Sequence, residues 1–409
     1  MYMMNDRAYA LFEEQQKDRG ISLSEVKEKL KALKIETPSW GYGDSGTRFK
    51  VFQQEGVPRD PFEKMEDASV VHKLTGTCPS VAIHIPWDQV DDYGKLKAHA
   101  EELGLAIGAV NPNLFQDDDY KFGSVTNVKA DIRQKATEQL LECVDIAKQT
   151  GSKEISLWLA DGTNYPGQGD IRKRKNWMYE CLAEVYEALD DDMRLLIEYK
   201  FFEPAFYHTD LADWGMAYNL AQKLGPKAEV LVDTGHHPQG TNIEHIVAYL
   251  LDEKRLGGFH FNSRKYADDD LIAGAHNPYE LFLIFYQILD ACRDSDPSVR
   301  KTAEHISYML DQCHNLEPKI PAVLRSVMNV QTQFAKALLI NFDEVKKAQE
   351  NHDVLAAEAA IREAFEIDVK PLLYAVREEM NVPPDPLKAY AESGYAEKIL
   401  ARGKGGASW

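Results

Sequence analysis

The feature that most constrains the fold is a regular alternation of short apolar runs with amphipathic helical segments. The alternation begins near residue 79 and continues to about residue 339. Apolar runs of about four to eight residues are typical of buried strands, and their repeated pairing with helices indicates a parallel sheet covered by helices. The runs that predict strands are Val81–Trp87, Leu105–Val110, Glu154–Ala160, Arg194–Lys200, Val230–Asp233, Gly257–Asn262 and Ile306–Asp311.

The number of strand–helix units predicts a barrel. With a first strand in the region Trp40–Val51, the chain contains about eight units in roughly 300 residues, the size of a (β/α)₈ TIM barrel. A doubly wound open sheet is the alternative. It is disfavoured because no GxGxxG motif follows the first strand and no other nucleotide-binding signature is present.

Segments outside the alternation lack strand patterning and are predicted to be helical. Residues 1–35 form an N-terminal helical segment, residues 36–340 the catalytic barrel, and residues 341–409 a C-terminal helical extension or arm. Within this arm we expect helices at about 342–365 and 370–380, followed by a loose glycine-rich tail from Gly403 to Trp409.

Composition narrows the class of protein. The 409-residue chain has a formal net charge of −19, which argues against a nucleic-acid partner because the phosphate backbone would be repelled. Its five cysteines are scattered without a CxxC pair, as expected of reduced thiols in the cytoplasm. No apolar stretch approaches the roughly 18 residues that span a bilayer. We therefore expect a cytoplasmic protein with no membrane or nucleic-acid partner.

Polar residues that suit metal binding lie at the ends of several predicted strands. Asp233-Thr234-Gly235-His236 follows the apolar run Val230–Val232, and a carboxylate three residues before an imidazole can bind one divalent ion. An ordinary turn explains so short a pattern equally well. The other strand ends carry a similar set of side chains: His84, Trp158, Glu198, Lys200, His260, Asp268, Asp270 and Asp311.

The charges of these residues favour a site for two ions. Strand ends converge on one mouth of a TIM barrel, so five carboxylates would meet there, and each close pair repels by roughly 4 kcal/mol at an effective dielectric near 20. Two divalent cations and Lys200 would balance the charge of Glu198, Asp233, Asp268, Asp270 and Asp311. Carboxylate oxygens mixed with imidazoles suit Mn²⁺, with Co²⁺ or Zn²⁺ as alternatives.

Several longer motifs carry a family resemblance. From about Trp40 to Asn315 the chain resembles L-rhamnose isomerase of the kind related to xylose isomerase. The most specific motifs are Ile83-His84-Ile85-Pro86-Trp87, Ile197-Glu198-Tyr199-Lys200, Val232-Asp233-Thr234-Gly235-His236-His237, Phe259-His260-Phe261-Asn262-Ser263-Arg264-Lys265-Tyr266, Asp268-Asp269-Asp270 and Leu310-Asp311-Gln312-Cys313-His314-Asn315.

The resemblance implies a ligand set for each ion. It assigns Glu198, Asp233, His260 and Asp311 to one metal, and it has Asp233 bridge to a second metal held by His236, Asp268 and Asp270. It implies a (β/α)₈ barrel, two Mn²⁺ ions per subunit and a homotetramer.

The resemblance also implies how the sugar is held. Lys200 would face the oxygen at C1, and His84 the ring oxygen or nearby hydroxyls, with Lys200, His84 and Asp270 as the catalytic residues. Trp40, Phe49 and Trp158 would form an apolar wall around the substrate.

The expected reaction is the interconversion of an aldose and a ketose, with L-rhamnose as the leading substrate by resemblance. A metal-assisted hydride shift between C1 and C2 is favoured over an enediol route, since Glu198 is better placed as a ligand than as a free base. Three alternatives stay open: a metal-dependent sugar epimerase, a two-metal hydrolase and a non-catalytic sugar-binding barrel. L-Mannose, L-lyxose and D-allose are rival substrates.

Overall fold

The computed structural model describes residues 2–45, 51–202 and 206–404. Eight parallel strands form one sheet whose spatial order is their order along the chain. Backbone bonds between Glu36 and the last strand close the ring. The strands are β1 (Thr37–Pro38), β2 (Ser80–Ile85), β3 (Ala106–Pro112), β4 (Glu154–Trp158), β5 (Arg194–Glu198), β6 (Ala228–Asp233), β7 (Leu256–Phe261) and β8 (Ser307–Leu310).

Helices surround the barrel and follow it. Within the described ranges, no helix is both long enough and apolar enough to cross a membrane. The helices are α1 (Tyr2–Asp18), α2 (Leu23–Ala32), α3 (Pro61–Thr75), α4 (Tyr93–Glu102), α5 (Ala130–Thr150), α6 (Ile171–Ala188), α7 (Trp214–Leu224), α8 (Ile243–Asp252), α9 (Pro278–Ala291), α10 (Pro297–Glu304), α11 (Lys319–Leu338), α12 (Phe342–Glu350), α13 (Val354–Glu366), α14 (Lys370–Glu379), α15 (Pro386–Glu392) and α16 (Tyr395–Ile399).

The predicted TIM-barrel fold is confirmed, and its main core lies between the strands and the helices. This core is continuous with the packing of the N-terminal and C-terminal helices, since Phe12 of α1 and Leu372 of α14 belong to the same buried apolar cluster as the barrel strands. Successive side chains along each strand point to opposite faces of the sheet, so residues that do not face this outer core point into the barrel.

The side chains inside the barrel form three layers. The middle layer is a small apolar cluster that includes Leu196, Leu231 and Met309. Two residues before these on their strands, Arg194 contacts Glu229 at 2.8 Å and the hydroxyl of Ser307 at 2.7 Å, so an ion-paired layer lies at the amino ends of the strands. Two residues after them come Glu198, Asp233 and Asp311. The same alternation therefore delivers the candidate site to the carboxyl ends.

The first strand is not where the sequence predicts it. We expected it in Trp40–Val51, whereas β1 is Thr37–Pro38 and is followed by a 3₁₀ turn at Ser39–Gly41. A two-residue strand is too short to produce an apolar alternation, and the apolar residue Trp40 is buried in the turn instead.

The helix predictions also need two corrections. The single helix predicted at 342–365 is two helices, because His352 adopts a positive φ of 56° and the Asp353 carboxylate caps α13 by accepting from Ala356 N at 3.0 Å. The second correction is that α3, α10, α15 and α16 were not predicted; α10 is an eight-residue helix between α9 and β8. The division of the chain at residues 35 and 340 stays a prediction.

Candidate metal centre

Six of the seven predicted metal ligands lie in two overlapping groups at the carboxyl ends of the strands. Within each group the ligand atoms all lie within 4.8 Å of one another. This spacing fits one ion per group, because two ligands on opposite sides of an ion at about 2.0–2.4 Å each are separated by a similar distance. The first group is Glu198, Asp233, His260 and Asp311, and the second is Asp233, His236 and Asp268.

Asp233 belongs to both groups and is completely buried. Its Oδ1 accepts a hydrogen bond from Gly235 N at 2.6 Å, and the Asn262 amide donates to Oδ1 at 2.9 Å and to Oδ2 at 3.1 Å. A Cβ atom on Gly235 would lie 2.7 Å from Asp268 Oδ1 and 2.8 Å from Asn262 Oδ1. Glycine is therefore required where the β6 loop passes between the two groups.

The two histidines present different ring nitrogens to the groups. His260 Nδ1 lies 3.2 Å from Glu198 Oε2 and 3.5 Å from Asp311 Oδ2. His236 instead turns Nε2 toward Asp268 Oδ2 at 3.5 Å. Its Nδ1 lies 3.0 Å from the carbonyl oxygen of Tyr199, a contact that fixes the ring orientation.

The donor atoms fit divalent ions on chemical grounds. Glu198 Oε1 and His260 Nδ1 are buried and have no hydrogen bond of good geometry with the described residues, although they lie 3.1 Å from His236 Nδ1 and 3.2 Å from Glu198 Oε2, respectively. Buried polar atoms normally have such partners, so these two atoms call for a ligand that accepts electron pairs. Oxygen donors from carboxylates combined with imidazole nitrogens suit Mn²⁺, Co²⁺ or Zn²⁺ better than Ca²⁺.

When no ion is bound, the pKa values of the buried groups show how strongly the charges at the mouth of the barrel interact. Burial raises the pKa of Asp233 to about 7, and the charges of Glu198 and Asp268 add to this effect. Burial alone would lower the pKa of both histidines, but the facing carboxylates outweigh it and raise the pKa of His236 to about 10 and that of His260 to about 9. Protons therefore hold the positions that cations would take.

Lys200 lies beside the second group. Its Nζ is 2.9 Å from Asp268 Oδ2 and lies 4.7 Å from the centre of the Trp158 ring. The side chain is 8% exposed, so the ammonium group is held in a largely dry position at the edge of the cavity.

A cavity of about 180 Å³ opens directly above the two groups. Its wall is aromatic: His84 stacks on Trp87 with ring centroids 3.8 Å apart, and Phe115 packs on Trp158 at 4.8 Å. Two nitrogens in this wall, His84 Nδ1 and Trp158 Nε1, are buried without a hydrogen-bond partner in the described parts of the chain. Flat apolar walls with a few polar atoms are typical of a site for a small polar ligand.

A buried ion pair supports the other side of this wall. The Asp88 carboxylate accepts hydrogen bonds from Lys64 Nζ at 2.6 Å, from the backbone N of His84 at 2.8 Å and from the hydroxyl of Ser39. These contacts tie the end of β2 to the turn that carries Trp40. Asp88 thereby fixes two predicted substrate-contacting residues without lining the cavity itself.

The remaining predicted site residues have different positions. Trp40 lines the cavity and also donates from Nε1 to Asp311 Oδ1 at 2.8 Å, so it orients a predicted ligand. Asp270 lines the cavity with a positive φ of 48°, but it lies outside both ligand groups, and its role as ligand and catalyst stays a prediction. Phe49 lies outside the described residues.

Sequence reasoning missed several residues of the site. Asn262 and Ser156 could have been found by strand alternation, because each lies two residues from a predicted site residue on the same strand or just past its end. The Ser156 hydroxyl lies 3.5 Å from His260 Nε2. Phe115 and Trp87 lie in loops, where no periodic signal marks a residue as lining a cavity.

Fold and site together define a (β/α)₈ barrel with a candidate centre for two divalent ions at its mouth. Residues 77–282 match the family described as xylose isomerase-like TIM barrel, and the chain belongs to this family.

Similar proteins support this assignment. A probable sugar isomerase of Rhizobium meliloti is 43% identical over 392 residues, which cover 94% of this chain and 89% of that protein. A second probable sugar isomerase, from Mesorhizobium japonicum, is 40% identical, and the match covers 97% of this chain and 92% of that protein. Among solved structures, L-ribulose 3-epimerase has a TM-score of 0.55 at 13% identity, with 79% of this chain and 99% of that chain covered, which shows the shared fold alone.

The first prediction concerns the stoichiometry of metal binding. We expect the wild-type chain to bind about two Mn²⁺ ions, Asp268→Asn to bind about one, and Asp233→Asn to bind none, because Asp233 serves both groups. Asp269→Asn is the matched control: the Asp269 carboxylate accepts from Lys265 N and Tyr266 N, so we expect this variant to keep both ions. Equilibrium dialysis with elemental analysis measures the ratio. Equal metal content in all four proteins would refute the assignment.

The second prediction concerns pH. At pH 7 the metal-free protein holds protons on His236 and His260, whose pKa values lie at about 10 and about 9. An ion must displace these protons, so we expect Mn²⁺ affinity to rise as pH increases from 6.5 to about 9 and binding to release protons. Calorimetry in buffers of different ionisation enthalpy measures both quantities. An affinity that does not change with pH would contradict this charge balance.

Proposed function

We propose that this protein is a metal-dependent aldose–ketose isomerase that converts L-rhamnose to L-rhamnulose. The observation that carries the proposal is the pair of ligand groups sharing Asp233, placed beside Lys200 beneath a small aromatic cavity. The cavity volume of about 180 Å³ is well below the roughly 300–1,000 Å³ typical of sites for drug-sized ligands, which favours a monosaccharide. Two relatives that align over most of this chain are named probable sugar isomerases.

The proposed cofactor is Mn²⁺, two ions per subunit, with Co²⁺ or Zn²⁺ as alternatives. Glu198, Asp233, His260 and Asp311 would hold one ion, and Asp233, His236 and Asp268, with Asp270, the other. When bound, such ions supply a template for substrate hydroxyls and polarise the oxygens at C1 and C2. The proposed assembly is a homotetramer, by resemblance to the L-rhamnose isomerases.

The side chains of the site favour a hydride shift over an enediol. In a hydride shift, hydrogen moves with its electron pair from C2 to C1, while a proton moves from the oxygen on C2 to the oxygen on C1. An enediol route needs a free base at C2, but Glu198 has both of its oxygens directed at imidazoles, Oε1 at His236 and Oε2 at His260. These contacts leave neither oxygen of Glu198 free to act as a base at C2, which supports a ligand role for this residue.

Other side chains have roles that follow from their position. The Lys200 ammonium would stabilise negative charge that develops on the substrate oxygen at C1. The rings of Trp87, Phe115 and Trp158 would exclude water from the migrating hydrogen. The buried and unpartnered His84 Nδ1 would contact the ring oxygen or a neighbouring hydroxyl.

The two other catalytic classes fit the site less well. A one-metal sugar epimerase would keep two carboxylates free as bases, whereas Asp268 is engaged with both His236 and Lys200. A two-metal phosphoesterase would be favoured by arginines that bind its phosphate in pairs of hydrogen bonds, and no arginine of the described residues lines the cavity, where Lys200 is already paired with Asp268. The activity assay below distinguishes an enzyme from a protein that only binds sugar.

The third prediction is the direct test of the activity. Chelator-treated protein is assayed with L-rhamnose, L-mannose, L-lyxose and D-allose, before and after Mn²⁺ is restored. We expect no turnover before Mn²⁺ is restored and measurable turnover afterwards, with the highest kcat/KM for L-rhamnose. In deuterated water we expect the ketose to carry no deuterium at C1, because a hydride shift does not exchange with solvent. Failure to convert any aldose would refute the isomerase, and solvent deuterium at C1 would refute the hydride route alone.

The fourth prediction isolates Lys200. Lys200→Met should retain both ions but lower kcat by about 10²–10³-fold, since a charge that stabilises the transition state is removed. Lys223→Met, an exposed change on α7, is the matched control and should retain wild-type turnover. Steady-state kinetics at saturating Mn²⁺, with metal content measured on the same samples, gives both values. Near-wild-type kcat in Lys200→Met would refute the role given to this residue.

A further inference from the structure

A second cavity, of about 790 Å³, lies between the barrel helix α11 and the C-terminal helices α14 and α15. It is separate from the metal centre and shares no lining residue with it. Residues spaced three and four apart on one helix share a face, and each of two helices turns such a face to this cavity. The face of α11 consists of Arg325, Met328, Thr332 and Lys336, and that of α14 consists of Lys370, Leu373, Tyr374 and Arg377.

Arg377 is unusual among the residues that line this cavity because its charged side chain is almost completely buried. Its side chain is 2% exposed, and its guanidinium donates to the carbonyl oxygen of Pro384 at 3.0 Å and to Gln331 Oε1 at 2.6 Å. Its Nε is buried with no hydrogen-bond partner among the described residues, and the two hydrogen bonds that its guanidinium does make are to uncharged oxygens. Burial lowers the pKa of Arg377 to about 10, although Tyr374 and Asp385 act in the opposite direction.

Other largely buried arginines of the chain have a carboxylate partner. The guanidinium–carboxylate distances are 2.7 Å for Arg174–Asp210, 3.2 Å for Arg264–Glu280 and 2.9 Å for Arg402–Asp67. Arg377 differs from these three because the hydrogen-bond partners of its guanidinium are uncharged, so a bound anion would give its charge the direct pairing that buried charges normally have.

Two acidic residues of the lining each act electrostatically on a basic residue of the same lining, Asp385 on Arg377 and Asp368 on Lys336, and each also accepts a hydrogen bond from a backbone N–H. Asp385 Oδ1 accepts from Lys388 N at 3.1 Å at the start of α15, and Asp368 Oδ1 accepts from Lys370 N at 3.0 Å. The lining carries five cationic side chains against three acidic ones, a net charge of +2 (five minus three), on a chain whose net charge is −19. A positive cavity on an acidic protein attracts anions selectively.

We propose that this cavity is a binding site for a tetrahedral dianion: sulfate, phosphate or a phosphate monoester. Arg377 provides the buried counter-charge, and the exposed Arg325 of α11 and Lys370 of α14 add positive charge to the same lining. Arginine suits this role because its planar fork of N–H donors matches an oxyanion. The site is independent of the proposed isomerase chemistry. Its occupation joins the C-terminal helices to the barrel.

The test is calorimetric titration of the Mn²⁺-loaded full chain at constant ionic strength set by chloride. Sodium sulfate and glycerol phosphate are the two probes, so that a free inorganic anion and an organic monoester are distinguished. We expect one saturable site per chain for at least one probe, with a Kd on the order of 1 mM or lower. Saturation by the monoester alone assigns the site to an organic phosphate, and saturation by sulfate shows that the inorganic anion suffices.

Variants locate the binding. Arg325→Gln and Lys370→Gln should each weaken binding about tenfold, the loss of roughly one charge-assisted hydrogen bond. Arg377→Met should abolish it, and if that buried change prevents folding, the two exposed changes carry the test alone. Arg172→Gln, an exposed arginine on α6, is the matched control and should bind as wild type does.

Three results would overturn the proposal. They are the lack of saturable binding in the wild type, equal affinity in Arg325→Gln and Arg172→Gln, and a crystal structure in which a segment of a second copy fills the cavity. Aldose isomerisation is measured on the same variants and should be unchanged, since none of these residues lines the metal centre. A failed isomerase assay therefore leaves the anion site standing, and a failed titration leaves the isomerase standing.

Discussion

Mutual repulsion of acidic groups is the constraint on which the whole mouth of this barrel depends. Strand alternation and strand order bring carboxylates that are more than a hundred residues apart in the chain, such as Glu198 and Asp311, into one ligand group. Without ions the site is neutralised by protons on Asp233 and on the two imidazoles. The same burial and charge that suit a divalent cation thus favour protonation of these groups when no cation is bound.

The layers beneath the site explain how the barrel tolerates this charge. The apolar middle layer separates the acidic mouth from the ion-paired layer around Arg194, so the two sets of charges are kept apart. Arg194 contacts Glu154, Glu229 and Ser307 at the opposite ends of the strands. The cavity above the carboxylates is on the opposite side of the barrel from this ion-paired layer, and a ligand can approach them from there.

The sequence predicted those parts of the structure in which apolar residues recur at the regular spacing of a strand or a helix. Seven of the eight strands, the barrel class and the convergence of Glu198, Asp233, His260 and Asp311 follow from alternation and from strand ends. The short β1 was misplaced, since two residues carry no period, and Phe115 was missed, since it lies in a loop. The cavity beside Arg377 was not foreseen either, because an arginine in a helix pattern looks solvated until the packing of α11 against α14 buries it.

The spread of the ligands along the chain has a consequence for biosynthesis. The first ligand group takes Glu198 from β5 and its last member, Asp311, from the end of β8. While a ribosome is still making the chain, the nascent protein lacks that final oxygen donor until the residue after β8 has been synthesised. A product that ends before Asp311 therefore cannot complete the first ligand group.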